Sequence, residues 1–293
     1  MNSSISFKDF VSNPPPGNHF MVIGNPVGHS LSPVMHNAAH QFYGYKSTYY
    51  AVEMSIDEIG MFVSWMKRES FLGCNITIPY KRVMMELVDM LDPEAKLTGA
   101  INTVVKKKNK LIGFNTDVFG FSEPLLKYID KIDGNSAIVF GTGGAANAVV
   151  RALHKLNCSE IVMISRNPEK WQRKDEFKNC IITGYEQWTS YAGEAAIIVN
   201  ATPLGMKPDI NKSPVNDGEE KYLENTICYD LIYRPEKTKF LHQAESAGTI
   251  TIGGMEMLIY QGSESFRLWT GRPFPIDYVR KQLKLKLAEK ETE

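Results

Sequence analysis

The sequence predicts an α/β chain of two sheet-bearing sections, and three observations predict it. Residues 137–167 read as strand, glycine turn, helix and strand: a short apolar run at 137–140, glycines at Gly141, Gly143 and Gly144, helical apolar spacing at 145–156, and a second apolar run at 161–164. Residues 20–117 alternate strand-like and helix-like segments, as an α/β sheet requires. Short buried-strand signals then recur at 195–199, 226–229 and 249–252, after the glycine turn.

The elements follow in order. Residues 1–19 carry Pro14, Pro15 and Pro16 and lack the charged start and apolar core of a signal peptide, so they are expected to form a mobile extension. Residues 20–24 form a strand and 25–31 a loop. Ser32 is expected to N-cap a helix with Pro33 at its first position, running to about Tyr43. Residues 48–52 are a strand. Ser55 and Glu58 form a capping box for a helix reaching about Arg68. Residues 71–76 are a strand, 77–81 turn into another helix, and Asp92-Pro93 opens a helical turn ending near Gly99. Residues 100–106 and 110–113 read as a hairpin turning at Lys108-Asn109. Residues 117–129 are a linking helix interrupted by Pro124, and residues 254–269 and 275–290 are two helices expected to return to the first domain. The expected domains are therefore 20–117, 118–253 and the returning 254–293.

Composition narrows the function. At 293 residues with 43% apolar content, one large or two ordinary domains with substantial cores are expected. Lys plus Arg and Asp plus Glu both number 33, so the net charge is zero, and no long block of one sign argues for nucleic acid or a membrane surface as partner. The basic stretches 106–108 and 280–286 are short and read as a hairpin edge and a solvated helix face. Cys74, Cys158, Cys180 and Cys228 are scattered without a Cys-x-x-Cys pair, which suits reduced thiols in the cytoplasm. No apolar stretch is long enough to span a bilayer, and no repeat is evident. His36 and His40 have a zinc-like spacing, but no Glu follows His36 and no third ligand is apparent, so no metal is expected.

The glycine turn points to a dinucleotide. Gly141 permits a tight turn, Gly143 lets a pyrophosphate approach the backbone, and Ala146 takes the small position where helix packs on strand. The helix N-terminus then offers N–H groups and a positive dipole end. After the second strand an NAD site usually has an acid; here Ser165-Arg166-Asn167 stands, with Lys170 beyond. Two cations suit a 2′-phosphate, so the expected cofactor is NADP.

Four further patches are rich in small polar residues: 28–33, 75–81, 99–103 and 113–117. Each lies at a strand end or adjoining loop, where open α/β sheets bind ligands, and their hydroxyls, amides, one Lys and one Asp suit a small polyhydroxylated molecule.

Here the chain resembles the shikimate dehydrogenase family. The matching motifs are Gly-Asn-Pro-Val-Gly-His-Ser-Leu-Ser-Pro-Val-Met-His-Asn at 24–37, Asn-Ile-Thr-Ile-Pro-Tyr-Lys at 75–81, Gly-Ala-Ile-Asn-Thr-Val at 99–104 and Gly-Phe-Asn-Thr-Asp at 113–117. Beyond the glycine turn come Asn-Ala-Thr-Pro-Leu-Gly-Met at 200–206, Asp-Leu-Ile-Tyr-Arg-Pro at 230–235 and Gly-Gly-Met-Glu-Met-Leu-Ile-Tyr-Gln-Gly at 253–262. The resemblance covers about Phe20 to Gly271, in family order. It implies an N-terminal α/β substrate-binding domain and a Rossmann-type NADP-binding domain with a cleft between them. It implies the reversible, NADP-dependent reduction of 3-dehydroshikimate to shikimate in aromatic amino acid biosynthesis, by a cytoplasmic monomer or homodimer.

The same resemblance implies roles. Lys81 and Asp117 would be the catalytic pair, Lys81 exchanging a proton with the oxygen on the reacting carbon and Asp117 orienting it. Ser30, Ser32 and Tyr233 would hold the substrate carboxylate, and Asn75, Thr77, Asn102 and Gln261 its hydroxyls. Cofactor contacts would come from Gly141, Thr142, Gly143, Gly144 and Ala145, from Ser165, Arg166, Asn167 and Lys170, and from Thr202, Leu231, Gly254 and Met255, the last against the nicotinamide. Two departures stand out. Leu31 replaces the Lys the family often places between the serines, as in its quinate/shikimate branch, so quinate use stays open. Val118 follows the catalytic Asp where Gly is frequent. An enzyme of the methylenetetrahydrofolate dehydrogenase type and a non-enzymatic NADP sensor are the rival readings. The Ser-x-Ser-Pro loop and Asn-Thr-Asp disfavour the first, and the retained Lys81 and Asp117 the second.

Overall fold

A computed structural model describes residues 4–171, 177 and 179–291. It divides into two compact units, Met1–Thr116 with Gln261–Glu293, and Asp117–Tyr260. The first unit runs β1 (Ile5–Ser6), α1 (Phe7–Ser12), β2 (Asn18–Gly24), α2 (Ser32–Tyr43), β3 (Ser47–Glu53), α3 (Ile59–Trp65), β4 (Phe71–Ile76), β5 (Met90–Leu91), α4 (Pro93–Thr98), β6 (Thr103–Lys107) and β7 (Lys110–Phe114). Its seven strands lie in the order β1-β3-β2-β4-β6-β7-β5. The pairs among β1, β3, β2 and β4 are parallel, whereas β6 runs antiparallel to both β4 and β7.

The second unit runs α5 (Asp117–Ser122), α6 (Ile129–Ile132), β8 (Ser136–Phe140), α7 (Ala146–Lys155), β9 (Glu160–Ile164), β10 (Ile181–Thr183), β11 (Ala195–Asn200), β12 (Ile227–Asp230), α8 (Lys239–Ser246) and β13 (Ile250–Ile252). Its strands are all parallel, in the order β10-β9-β8-β11-β12-β13. The chain builds outward from β8 to one edge, then crosses to β11 and builds to the other. The glycine turn after β8 therefore stands where the winding reverses, the place open α/β sheets use for ligands. Ala137 and Val139 pack into one core, and Ile138 and Phe140 into the other on the opposite face. Burial on both faces is why this strand reads as an unbroken apolar run. The unit boundary falls within α9 (Gly254–Thr270), and α10 (Ile276–Glu291) packs along α2.

Several expectations are corrected. The N-terminal extension is not loose over its described part: Ile5 and Ser6 pair with Val52 and Glu53 of β3. Ser6 caps α1 by accepting from the Asp9 N–H, and Phe7 and Phe10 are buried against Phe62 and Trp65, with ring centroids 5.6 and 5.3 Å apart. The segment following Lys81 is a 3-10 turn, Val83–Glu86, rather than an α-helix. Pro124 splits the linking helix into α5, a 3-10 stretch Glu123–Tyr128 and α6. Ser55 and Glu58 do form the capping box, on a 3-10 turn leading into α3.

His36 and His40 are buried in aromatic packing. The His36 ring stacks 4.5 Å from Tyr49, and His40 lies 5.1 Å from Phe20. Burial lowers the pKa of His19, His36 and His40, that of His40 to about 4. The unfolded chain takes up protons near pH 6.5, before the folded first unit can. Stability of this unit should therefore fall as pH drops from about 6.5 to about 4, by roughly 3 kcal/mol for His40 alone. Amide exchange of α2 at pH 7.5 and pH 5, corrected for intrinsic rates, measures this; equal protection would refute it. The four cysteines are free, with Cys74, Cys158 and Cys228 buried. No described helix is long and apolar enough to cross a membrane.

Candidate active site

In the first unit, topology gathers the polar patches. Strands β2, β3 and β4 run parallel and end at Gly24, Glu53 and Ile76. Because β6 runs antiparallel, its first residue Thr103 pairs with Asn75 at the end of β4, and the hairpin sets Phe114 opposite Thr103. The four patches thus share one sheet edge. Backbone bonds join their loops: Thr77 N–H to the Ile23 carbonyl at 2.9 Å, Ile76 N–H to Asn102 at 2.8 Å, and Ile101 N–H to Lys81 at 3.0 Å. A Cβ on Gly24 would lie 2.4 Å from the Thr77 methyl, so only glycine lets these loops meet.

A buried polar network underlies this edge. The Asn75 amide donates to the Asn102 carbonyl, Thr103 and Ser265 at 3.0–3.1 Å and accepts from the Tyr49 hydroxyl at 2.7 Å. The Asn102 Oδ1 accepts from the Thr116 N–H at 2.8 Å and from the Thr103 hydroxyl at 3.1 Å, while its Nδ2 donates to Thr116 Oγ1 at 2.9 Å. Gln261 stands 3.5 Å from the Asn102 amide. Sequence reading missed Ser265, which bonds Thr103 at 2.7 Å and Thr116 at 3.2 Å. Its signal was its place one helical turn after Gln261 on α9. Asn75 is thus engaged within the protein, which sets the orientation of its neighbours. Lys81 and Thr77 are half-buried, and Asp117, directly after Thr116, is buried.

The serine loop differs from expectation. Leu31, not Ser32, is the N-cap of α2, and Ser32 is its first helical residue. No side chain caps α2 from Leu31, and the Ser30 hydroxyl accepts from the Ser32 N–H at 3.2 Å, a local turn at the helix start. Ser32 is buried beside the Tyr49 phenol, where its hydrogen bond partly counters the upward pKa push of burial. Leu31 is buried too.

In the second unit, all the expected cofactor residues lie at or beyond the carboxyl ends of β8, β9, β11, β12 and β13. Gly141 has φ +104°, and a Cβ there would press on the Ala201 carbonyl at 3.0 Å. A Cβ on Gly143 or Gly144 would meet nothing within 4 Å, so this part of the turn, with Thr142 and Ala145, opens outward ahead of the α7 N-terminus. That exposed backbone with its uncapped N–H groups fits a pyrophosphate. Ser165 is buried and its hydroxyl accepts from the Asn167 N–H at 3.2 Å, whereas Arg166, Asn167 and Lys170 are exposed, with Lys170 5.8 Å from the Trp171 ring. Gly254 is required by geometry: a Cβ would lie 2.2 Å from the Leu231 carbonyl. Met255 and Tyr233 are half-buried.

A second buried network, unseen in the sequence, holds two of these loops. The Asp230 carboxylate accepts from Asn200 Nδ2 at 3.1 and 3.2 Å, from the Ile232 N–H at 2.9 Å and from the Thr238 hydroxyl at 2.5 Å. Asn200 in turn accepts from the Thr202 N–H at 3.0 Å and its hydroxyl at 2.6 Å. Burial raises the Asp230 pKa to about 6 despite these donors.

Comparison with known proteins identifies the family. Residues 22–104 match the shikimate dehydrogenase substrate binding domain, and residues 254–284 match the shikimate 5'-dehydrogenase C-terminal domain. A shikimate dehydrogenase (NADP(+)) of Synechocystis is 37% identical over 270 residues, covering 89% of this chain and 93% of that protein. One from Methanothermobacter thermautotrophicus is 35% identical over 269 residues, covering 90% and 94%. The crystal structure of shikimate 5-dehydrogenase from Thermus thermophilus in complex with NADP(H) and shikimate superposes with a TM-score of 0.81 at 33% identity, covering 91% of this chain and 98% of that one. With such identity across nearly the whole length of its relatives, the chain belongs to the shikimate dehydrogenase family.

Proposed function

We propose that this chain is an NADP-dependent shikimate dehydrogenase that interconverts 3-dehydroshikimate and shikimate. The observation that carries the reading is the gathering of Lys81, Asn102, Thr116 and the serine loop on one edge of the first sheet. That edge supplies hydroxyl and amide groups for a polyhydroxylated ring and one amine for proton exchange. Ser30, Ser32 and Tyr233 hold the carboxylate, and Thr77, Asn102 and Gln261 hold ring hydroxyls, with Asn75 contributing from its network. Lys81 takes the proton from the reacting hydroxyl in the oxidising direction and returns it in the other, and Asp117 orients the amine. NADP, when bound, supplies the hydride acceptor. The open glycine turn holds its pyrophosphate, and the exposed Arg166 and Lys170 hold its 2′-phosphate. Free thiols support a cytoplasmic setting.

The test measures kcat/KM for shikimate and quinate, each with NADP and NAD. Shikimate with NADP should be the best pair, and Arg166→Ala should raise KM for NADP far more than for NAD. Equal efficiency with quinate would overturn the substrate assignment, and equal use of NAD the cofactor assignment, while family membership would stand.

A further inference from the structure

Arg234 follows Tyr233 in the segment after β12, at the same carboxyl edge as the glycine turn. Its Nε and Nη2 are both shielded from water and have no hydrogen-bond partner among the described residues. Buried donors without acceptors are costly, and those of a charged guanidinium more so. The backbone around it is pinned, because the Ile232 N–H donates to Asp230 at 2.9 Å and the Gly254 N–H to the Ile232 carbonyl at 3.2 Å. The charge of Arg234 also reaches the Tyr233 phenol, where it counters the effect of burial.

Nε and Nη2 form the side of a guanidinium that grips two oxygens of one planar or tetrahedral anion. The protein shows this grip elsewhere: Arg267 holds Glu264 with its Nε and Nη2, each 2.6 Å from a carboxylate oxygen. We propose that Arg234 is a further ligand-binding residue, holding an oxyanion of a bound ligand through Nε and Nη2. The inference rests on the proposed function, which offers two oxyanion sources, the ring carboxylate assigned to the neighbouring Tyr233 and a phosphate of NADP.

The experiment compares wild type, Arg234→Ala, Arg234→Gln and Arg234→Lys. It measures KM for shikimate at saturating NADP and Kd for NADP alone by fluorescence, with thermal unfolding as a check on folding. Loss of the fork should raise one constant by about 10- to 100-fold, and Arg234→Lys, which keeps charge without the fork, should recover only part. A rise confined to shikimate identifies the carboxylate, and one confined to NADP identifies a phosphate. Arg234→Gln carries the test if Arg234→Ala does not fold. Folded variants in which neither constant moves more than about 3-fold would overturn the proposal. A wild-type protein inactive on shikimate would instead defeat the proposed function, leaving the NADP measurement to decide the role of Arg234.

Discussion

Lys81→Ala should lower kcat by a factor on the order of 10²–10⁴ while leaving the melting temperature nearly unchanged. The amine is the only part of this residue that the proposed chemistry uses. Its side chain is half-buried, so truncation removes little packing. Its carbonyl, which accepts from the Ile101 N–H at 3.0 Å and so ties the loop to the next patch, survives substitution. Lys81→Arg separates two explanations. A guanidinium keeps the positive charge but does not give up its proton, so if proton exchange is the role, this variant should be nearly as slow as the alanine. If Lys81 merely supplied charge for binding, Arg would restore much of the rate. Steady-state kinetics of both variants beside thermal unfolding decide the matter, and near wild-type turnover in Lys81→Ala would disprove the assignment.

What the sequence made legible follows from where its signals come from. Strands β8, β9, β11 and β12 are buried on both faces, so their apolar runs stand out without any knowledge of neighbours. The two-residue β1 has no period to read, and its place is set by pairing with β3, far along the chain. Phe7 and Phe10 were overshadowed by the prolines that follow them, although their spacing puts both on one helix face. The site divides in the same way. The glycine turn and the four polar patches are local motifs and could be found. Ser265 and Asp230 act through partners distant in sequence, Thr103 and Thr116 for one and Asn200 for the other. A serine on a helix and an aspartate after an apolar strand carry no local mark of such partners. The start of α2 differs from expectation for a similar reason: Ser32 is buried beside Tyr49, a partner distant in sequence, and enters the helix as its first residue rather than capping it.

Asp230 offers the largest expected effect on stability, and its size depends on pH. Asp230→Ala removes one acceptor group from three donors: Asn200 Nδ2, the Ile232 N–H and the Thr238 hydroxyl. Thr238 can rotate its hydroxyl and Asn200 keeps the Leu204 carbonyl at 3.1 Å, so the loss should be roughly 2–5 kcal/mol rather than the sum of three orphaned donors. The same change should weaken NADP binding, because Asn200, which accepts from Thr202, loses its side-chain tie to the segment bearing Leu231, and only the Leu231 N–H to Asn200 carbonyl bond at 3.0 Å still joins the two. Asp230→Asn keeps the shape but sets an amide N–H against existing donors, and it abolishes the titration. Burial raises the folded-state pKa to about 6, above the roughly 3.9 of the unfolded chain. A raised carboxyl contributes most stability below the unfolded value, and loses that contribution as pH climbs through about 6. The gap in stability between wild type and Asp230→Asn should therefore shrink, by roughly 2 kcal/mol, from pH 4 to pH 7. The buried histidines of the first unit titrate over the same range but do so in both proteins, so they cancel in the difference. Denaturant unfolding at several pH values measures the gap directly. A gap that widens with pH would show that the three hydrogen bonds outweigh desolvation and hold Asp230 ionised.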